Sequence, residues 1–233
     1  MLSITFDNVK ISQGSFTLEA NFTIDPGHKV ALLGPSGGGK STLLSAIAGF
    51  KSIDHGRILF GGADITEMAP AARPVALLFQ DHNLFPHLTA EQNIALGIRP
   101  NLRLNAQEWE TVAQAISRVG LDGLGAKTPA ELSGGQQQRI ALARCLLREK
   151  PLLCLDEPFA ALGPALKHEM LDLVGEIVDA TNASMLMVTH QPEDAIYIAD
   201  QTVLVADGVA MAPMNTQNLM ADPPAVLAQY LGR

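Results

Sequence analysis

One run of residues constrains this chain more than any other: Gly34-Pro35-Ser36-Gly37-Gly38-Gly39-Lys40-Ser41-Thr42. It satisfies the Gly-x-x-x-x-Gly-Lys-Ser/Thr pattern, which average residue usage places by chance in about 1% of chains of this length. The apolar run Val30-Ala31-Leu32-Leu33 precedes it, and Thr42 to Gly49 fits a helix closed by glycine. Between a buried strand and a helix, this spacing has a physical use. Glycines let the backbone curl until successive N–H groups face an anion. The helix adds its free N–H groups and the positive end of its dipole. Lys40 reaches outer phosphates, and the Ser41 hydroxyl suits Mg²⁺. The loop therefore predicts nucleotide binding.

The rest of the chain alternates strand and helix signals. Phe16 to Phe22, Arg57 to Phe60, Val75 to Phe79, Leu152 to Leu155 and Met185 to Val188 read as strands, and Pro26-Gly27 as a turn. Trp109, Val112, Ala113, Ile116 and Val119 recur at helical spacing, with Gly120 where a C-terminal cap belongs. Ser133 to Arg148 reads as a second helix, and Leu166 to Ile177 as a third. Pro192 opens a short helix, and Asp207-Gly208 turns a hairpin. The pattern predicts an α/β fold with a mostly parallel sheet and a helical insertion over residues 81–148. The formal net charge of −8 argues against coating nucleic acid. No apolar run approaches the roughly 18 residues of a membrane span. No signal peptide is read at the N-terminus. Cys145 and Cys154 lie in apolar surroundings and read as core residues.

Three further features point to phosphate chemistry. Leu132-Ser133-Gly134-Gly135-Gln136 opens a helix with capping-box spacing between Ser133 and Gln136. A capped start accounts for the Ser and the Gln, but not for two adjacent glycines, which are poor helix formers. Close approach of another group to the backbone, such as a second phosphate, accounts for them. Leu152-Leu153-Cys154-Leu155-Asp156-Glu157 is an apolar strand emerging into two carboxylates. Strand alternation would aim them to opposite faces, Asp156 to Mg²⁺ and Glu157 to the attacking water. Gln80 and His190 each end another strand, at the sheet edge where open parallel sheets bind ligands.

The order of these segments resembles the ATP-binding subunits of ABC transporters over essentially the whole chain. Gly34 to Thr42 is similar to the Walker A loop and Gln80 to the Q-loop glutamine. Leu132 to Gln136 is similar to the family signature, Leu152 to Glu157 to Walker B with its catalytic glutamate, and His190 to the switch histidine. Arg73-Pro74-Val75, His87-Leu88-Thr89 and Val205-Ala206-Asp207-Gly208 look like the bacterial thiamine-importer branch, with iron(III), polyamine and sulfate importers as the nearest alternatives.

The resemblance implies one ATP-binding domain over residues 1–233. Residues 1–80 and 149–233 would form a P-loop core with an antiparallel β subdomain, and 81–148 an inserted helical subdomain. It implies ATP and Mg²⁺, with Ser41, Gln80 and Asp156 at the metal and Glu157, His190 and Gln80 catalytic. It implies a head-to-tail homodimer with ATP between Gly34–Thr42 of one chain and Ser133, Gly134, Gly135 and Gln136 of the other. An integral membrane permease and, indirectly, a periplasmic substrate-binding protein would be partners, with no nucleic acid. The subunit would sit peripherally on the cytoplasmic face of the bacterial inner membrane. Two departures stand out. Gly163 takes the place of the usual D-loop Asp, and Val9-Lys10-Ile11-Ser12 lacks the usual adenine-stacking aromatic, leaving Phe16 as a weak stand-in. A soluble ABC ATPase usually has two halves or a long inserted arm, which this chain lacks. A P-loop small-molecule kinase leaves the signature segment unexplained.

Overall fold

A computed structural model describes residues 2–79, 83–160 and 162–232; Gln80, the expected Q-loop residue, lies outside them. The chain begins with β1 (Ile4–Gln13), β2 (Phe16–Ile24), β3 (Lys29–Leu33), α1 (Lys40–Ala48), β4 (His55–Phe60), β5 (Ala63–Asp64) and β6 (Val75–Leu78). Helices α2 (Ala90–Ala95), α3 (Ala106–Arg118) and α4 (Gly134–Leu146) follow. The chain then returns through β7 (Leu152–Asp156), α5 (Pro164–Thr181), β8 (Ser184–Val188), α6 (Pro192–Ile198) and β9 (Gln201–Ala206). It closes with β10 (Val209–Ala210), β11 (Met214–Asn215), α7 (Thr216–Ala221) and α8 (Ala225–Tyr230).

Five parallel strands form the centre in the order β9-β3-β8-β7-β6. Both faces are covered, which is why these strands read as continuous apolar runs. Leu153, Leu155, Met185 and Met187 pack against α4 and α5. Their alternating neighbours Leu152, Cys154, Leu186 and Val188 join a second core with α1, β1 and β2. Antiparallel strands β5-β4-β1-β2 complete the sheet. The link between the halves is β10, antiparallel to β9 but parallel to β2, pairing Val209 with Glu19. A two-residue strand has no periodicity, so the sequence shows the Asp207-Gly208 hairpin and not this junction. Burial pushes the Cys145 thiol up to about 12 and holds Cys154 well above its usual range, so both are inert core residues.

Helix starts follow local chemistry. Asn105 caps α3 in a full capping box with Glu108, and Gly120 turns the chain at φ 62° just past its end. Helix α1 starts at Lys40 rather than Thr42. Gly39, left-handed at φ 102°, is its N-cap, and the Gly39 carbonyl accepts the Leu43 N–H at 2.9 Å. No helix among the described residues is long and apolar enough to cross a membrane.

Candidate active site

The glycine loop lies where β3 ends, pressed against the end of β9. A Cβ at Gly34 would stand 2.1 Å from the Val205 carbonyl oxygen, and one at Gly38 2.8 Å from it. No other residue type fits those two positions. At Gly37, φ is 77° and a Cβ would meet nothing within 4 Å, so this side of the loop is open. Lys40 is only 4% exposed. Its Nζ donates to the carbonyls of Gly34 and Pro35, both at 2.8 Å, which holds the curl together from inside. Burial lowers the pKa of its ammonium, opposed by the charges of Glu157 and Asp156.

The two carboxylates part as expected, but by a turn of the backbone at Glu157 rather than by strand alternation. Strand β7 ends at Asp156, and Glu157 is left-handed at φ 48°. That positive φ, unusual outside glycine and costing of order 1–3 kcal/mol, turns the chain out of the strand. The Glu157 N–H is held by the Val188 carbonyl at 3.1 Å. Asp156 therefore meets Ser41, whose Oγ donates to Oδ1 at 2.9 Å. Glu157 meets His190, with Oε1 and Nε2 at 2.5 Å. Burial raises the Asp156 carboxyl, with the Ser41 hydrogen bond acting against it. Parallel pairing of β7 with β8 brings these ends together, because Asp156 is in register with Val188.

A cleft of about 420 Å³ opens over these groups, lined by Ser36, Lys40, Ser41, Glu157 and His190. The turn between β1 and β2 forms its other wall with Gln13 and Phe16. Phe16 does two jobs. Its side chain packs on the core, with its tip 3.1 Å from where a Gly39 Cβ would be, and it also lines the cleft. Sequence reading missed Gln13, whose only signal is the position beside Gly14 in the hairpin turn.

Ser133, Gly134, Gly135 and Gln136 are not among the residues lining this cleft. The expected capping box is present. The Ser133 hydroxyl accepts the Gln136 N–H at 3.3 Å, and Gln136 Oε1 accepts the Ser133 N–H at 2.9 Å. A Cβ at Gly134 would meet nothing within 4 Å, and one at Gly135 only the tip of Leu162 at 3.1 Å. Packing among the described residues therefore gives no reason for glycine at 134. Gly163 is the N-cap of α5 and offers no side-chain acceptor.

The profile of the ABC transporter family matches residues 18–160. This chain belongs to the ABC transporter family. Within it, the chain is 59% identical to the thiamine import ATP-binding protein ThiQ of Cereibacter sphaeroides, over 97% of this chain and 98% of that one. It is 54% identical to the protein of the same name from Ruegeria sp., over 98% and 99%. For that of Brucella suis biovar 1 the identity is 46%, over 98% and 95%. Among solved structures, a nucleotide-free ATP-binding cassette from an ABC transporter superposes with a TM-score of 0.85 over all of both chains at 25% identity. A dimeric cassette in a post-hydrolysis state with ADP and Pi shares the fold, with a TM-score of 0.79 over 93% of this chain and 99% of that one at 24% identity.

Proposed function

We propose that this family member is the ATP-hydrolysing subunit of a thiamine importer. The observation that carries the chemistry is the Glu157–His190 pair beside the Ser41–Asp156 pair at the mouth of the glycine loop. The substrate rests on the identity to thiamine import proteins along nearly the whole chain. The loop from Gly34 to Thr42 takes the phosphates on its N–H groups, and Lys40 exchanges its loop carbonyls for phosphate oxygens. Ser41 and Asp156, joined by Gln80, would hold Mg²⁺. They are hard oxygen donors, and a divalent cation offsets the cost of ionising a carboxyl that burial has raised. Bound Mg²⁺ supplies neutralisation of charge on the phosphate oxygens. Glu157 orients the attacking water and takes its proton, and His190 holds the γ-phosphate.

One chain carries one loop and one signature helix, so two chains pair head to tail. The backbone at Gly134, open on its own chain, and at Gly135 then meets the γ-phosphate on the other. Binding that favours the closed pair shifts the population toward it, and hydrolysis releases it. Residues 1–80 and 149–233 act as the core, and residues 81–148 form the insertion that passes this motion to a membrane permease. Parallel pairing of β6 with β7 across that stretch supports the division. A periplasmic substrate-binding protein delivers thiamine from the far side, with this subunit peripheral on the cytoplasmic face of the inner membrane.

Glu157→Gln tests the core of this reading. It keeps the shape and removes the proton acceptor, so turnover should fall about 100-fold or more while ATP binding persists. With ATP, the variant should elute from gel filtration as a dimer. Undiminished turnover would sink the assignment of Glu157.

A further inference from the structure

His190 lies two residues past the end of β8, and its side chain is 37% exposed. A residue in that position needs an external hold if its imidazole is to meet a phosphate reproducibly. Two holds are present. On one side, Lys167 of α5 pairs with Asp194 of α6 at 3.0 Å, both side chains only 12% exposed, and also donates to Gln191 Oε1. Asp194 accepts from the Thr189 hydroxyl at 3.1 Å, and that hydroxyl accepts the Gln191 N–H at 3.1 Å. The residues flanking His190 are thus tied to α5 and α6. On the other side, Tyr230 at the end of α8 donates its hydroxyl to the His190 carbonyl at 2.6 Å. Helix α8 is itself seated, since Leu227 is fully buried in the core that holds Ala31 and Leu33 of β3. Burial, reinforced by the carboxylates of Glu157 and Glu193, pushes the Tyr230 phenol up, so it remains a donor at neutral pH.

We propose that Tyr230 and the Lys167–Asp194 pair are positioning residues that set the switch histidine's backbone from opposite sides. The C-terminal helix thereby takes part in hydrolysis without touching nucleotide. This rests on the reading of His190 as a γ-phosphate contact. Loss of the Tyr230 hydrogen bond frees the His190 peptide while leaving the nucleotide-binding loop untouched. The effect therefore belongs in kcat and not in the KM for ATP.

The experiment compares full-length wild type, Tyr230→Phe, His190→Ala and the double variant in steady-state hydrolysis of Mg-ATP, with thermal unfolding alongside. Tyr230→Phe keeps the ring in its packing. We expect kcat to fall about five- to tenfold, with KM within about twofold and the unfolding midpoint within about 2 °C. In the His190→Ala background, removing the hydroxyl should cost nothing more, since both changes act through one group. An unchanged kcat in Tyr230→Phe, or losses that multiply in the double variant, would overturn the proposal while leaving the role of His190 standing. Full activity of His190→Ala would overturn the role of His190 and this proposal with it.

Discussion

Gly134 and Gly135 begin α4, where glycine is poorer than alanine by up to about 1 kcal/mol in a helix. The space beside Gly134 is open among the described residues, so their packing does not set this residue. Gly134→Ala separates fold from function. The unfolding midpoint should stay level or rise by about 1–2 °C, because alanine is the better helix former. ATP hydrolysis should fall more than about tenfold if the backbone there must approach a phosphate on a second chain, and equilibrium binding with hydrolysis assays on the same sample check both halves. Glu157 carries a comparable lesson. Its type and place were legible as a carboxylate at a strand end. Its direction was not, because a left-handed φ at a non-glycine residue is imposed by surrounding contacts such as the Val188 carbonyl.

At the scale of elements, Arg73 secures the helix behind the phosphate loop. It is 3% exposed, and its guanidinium donates to the last carbonyls of α1, Ala46 and Ile47 at 2.7 and 2.9 Å. It also reaches Met68 at 2.8 Å and Thr66 at 2.6 Å. A cation at a helix C-terminus suits the dipole, and the planar fork satisfies several orphan carbonyls at once. Arg73→Met removes all four of these hydrogen bonds, leaving Ala46 only the Gly49 N–H, so we expect a loss of about 2–3 kcal/mol, or roughly 5–10 °C in the unfolding midpoint. Thermal unfolding checks it, and Arg73→Lys should recover only part, since a single ammonium has no fork. Sequence reading noticed Arg73 beside Pro74 as a family resemblance and had no means to give it this role. Its partners belong to α1 and to a loop, and only packing brings them together. Helices with their own local grammar, such as α3 with its apolar spacing and Gly120 stop, were legible because those signals lie within the helix and its immediate neighbours.

The whole molecule is a sheet with apolar cores on both faces, and the groups we propose as catalytic gather past the carboxyl ends of β3, β7 and β8. The signature helix start lies away from that cleft within the chain. This placement, together with the single phosphate loop, supports the proposal of a site completed by a second chain. Ser133→Arg is the corresponding test. It loses a cap worth about 1 kcal/mol, which the fold should survive, and puts a bulky cation where the proposed second chain would dock. Hydrolysis should be lost while nucleotide affinity of the isolated chain, read by titration, is unchanged. Loss of binding by the single chain would argue that Ser133 acts within its own site.

By itself the sequence determined the alternation of strand and helix, the glycine loop, the Gly120 stop of α3, the capping box of α4 and the residue types gathered at the candidate site. Each of these follows from side-chain period, φ freedom or hydrogen bonds between near neighbours in the chain. Only the tertiary structure decided that β10 joins the two halves of the sheet, that Asp156 meets Ser41 while Glu157 meets His190, and that Tyr230 reaches back to the His190 carbonyl. Those contacts join residues distant in sequence. Their geometry is set by how buried faces stack, and local chain chemistry does not encode it.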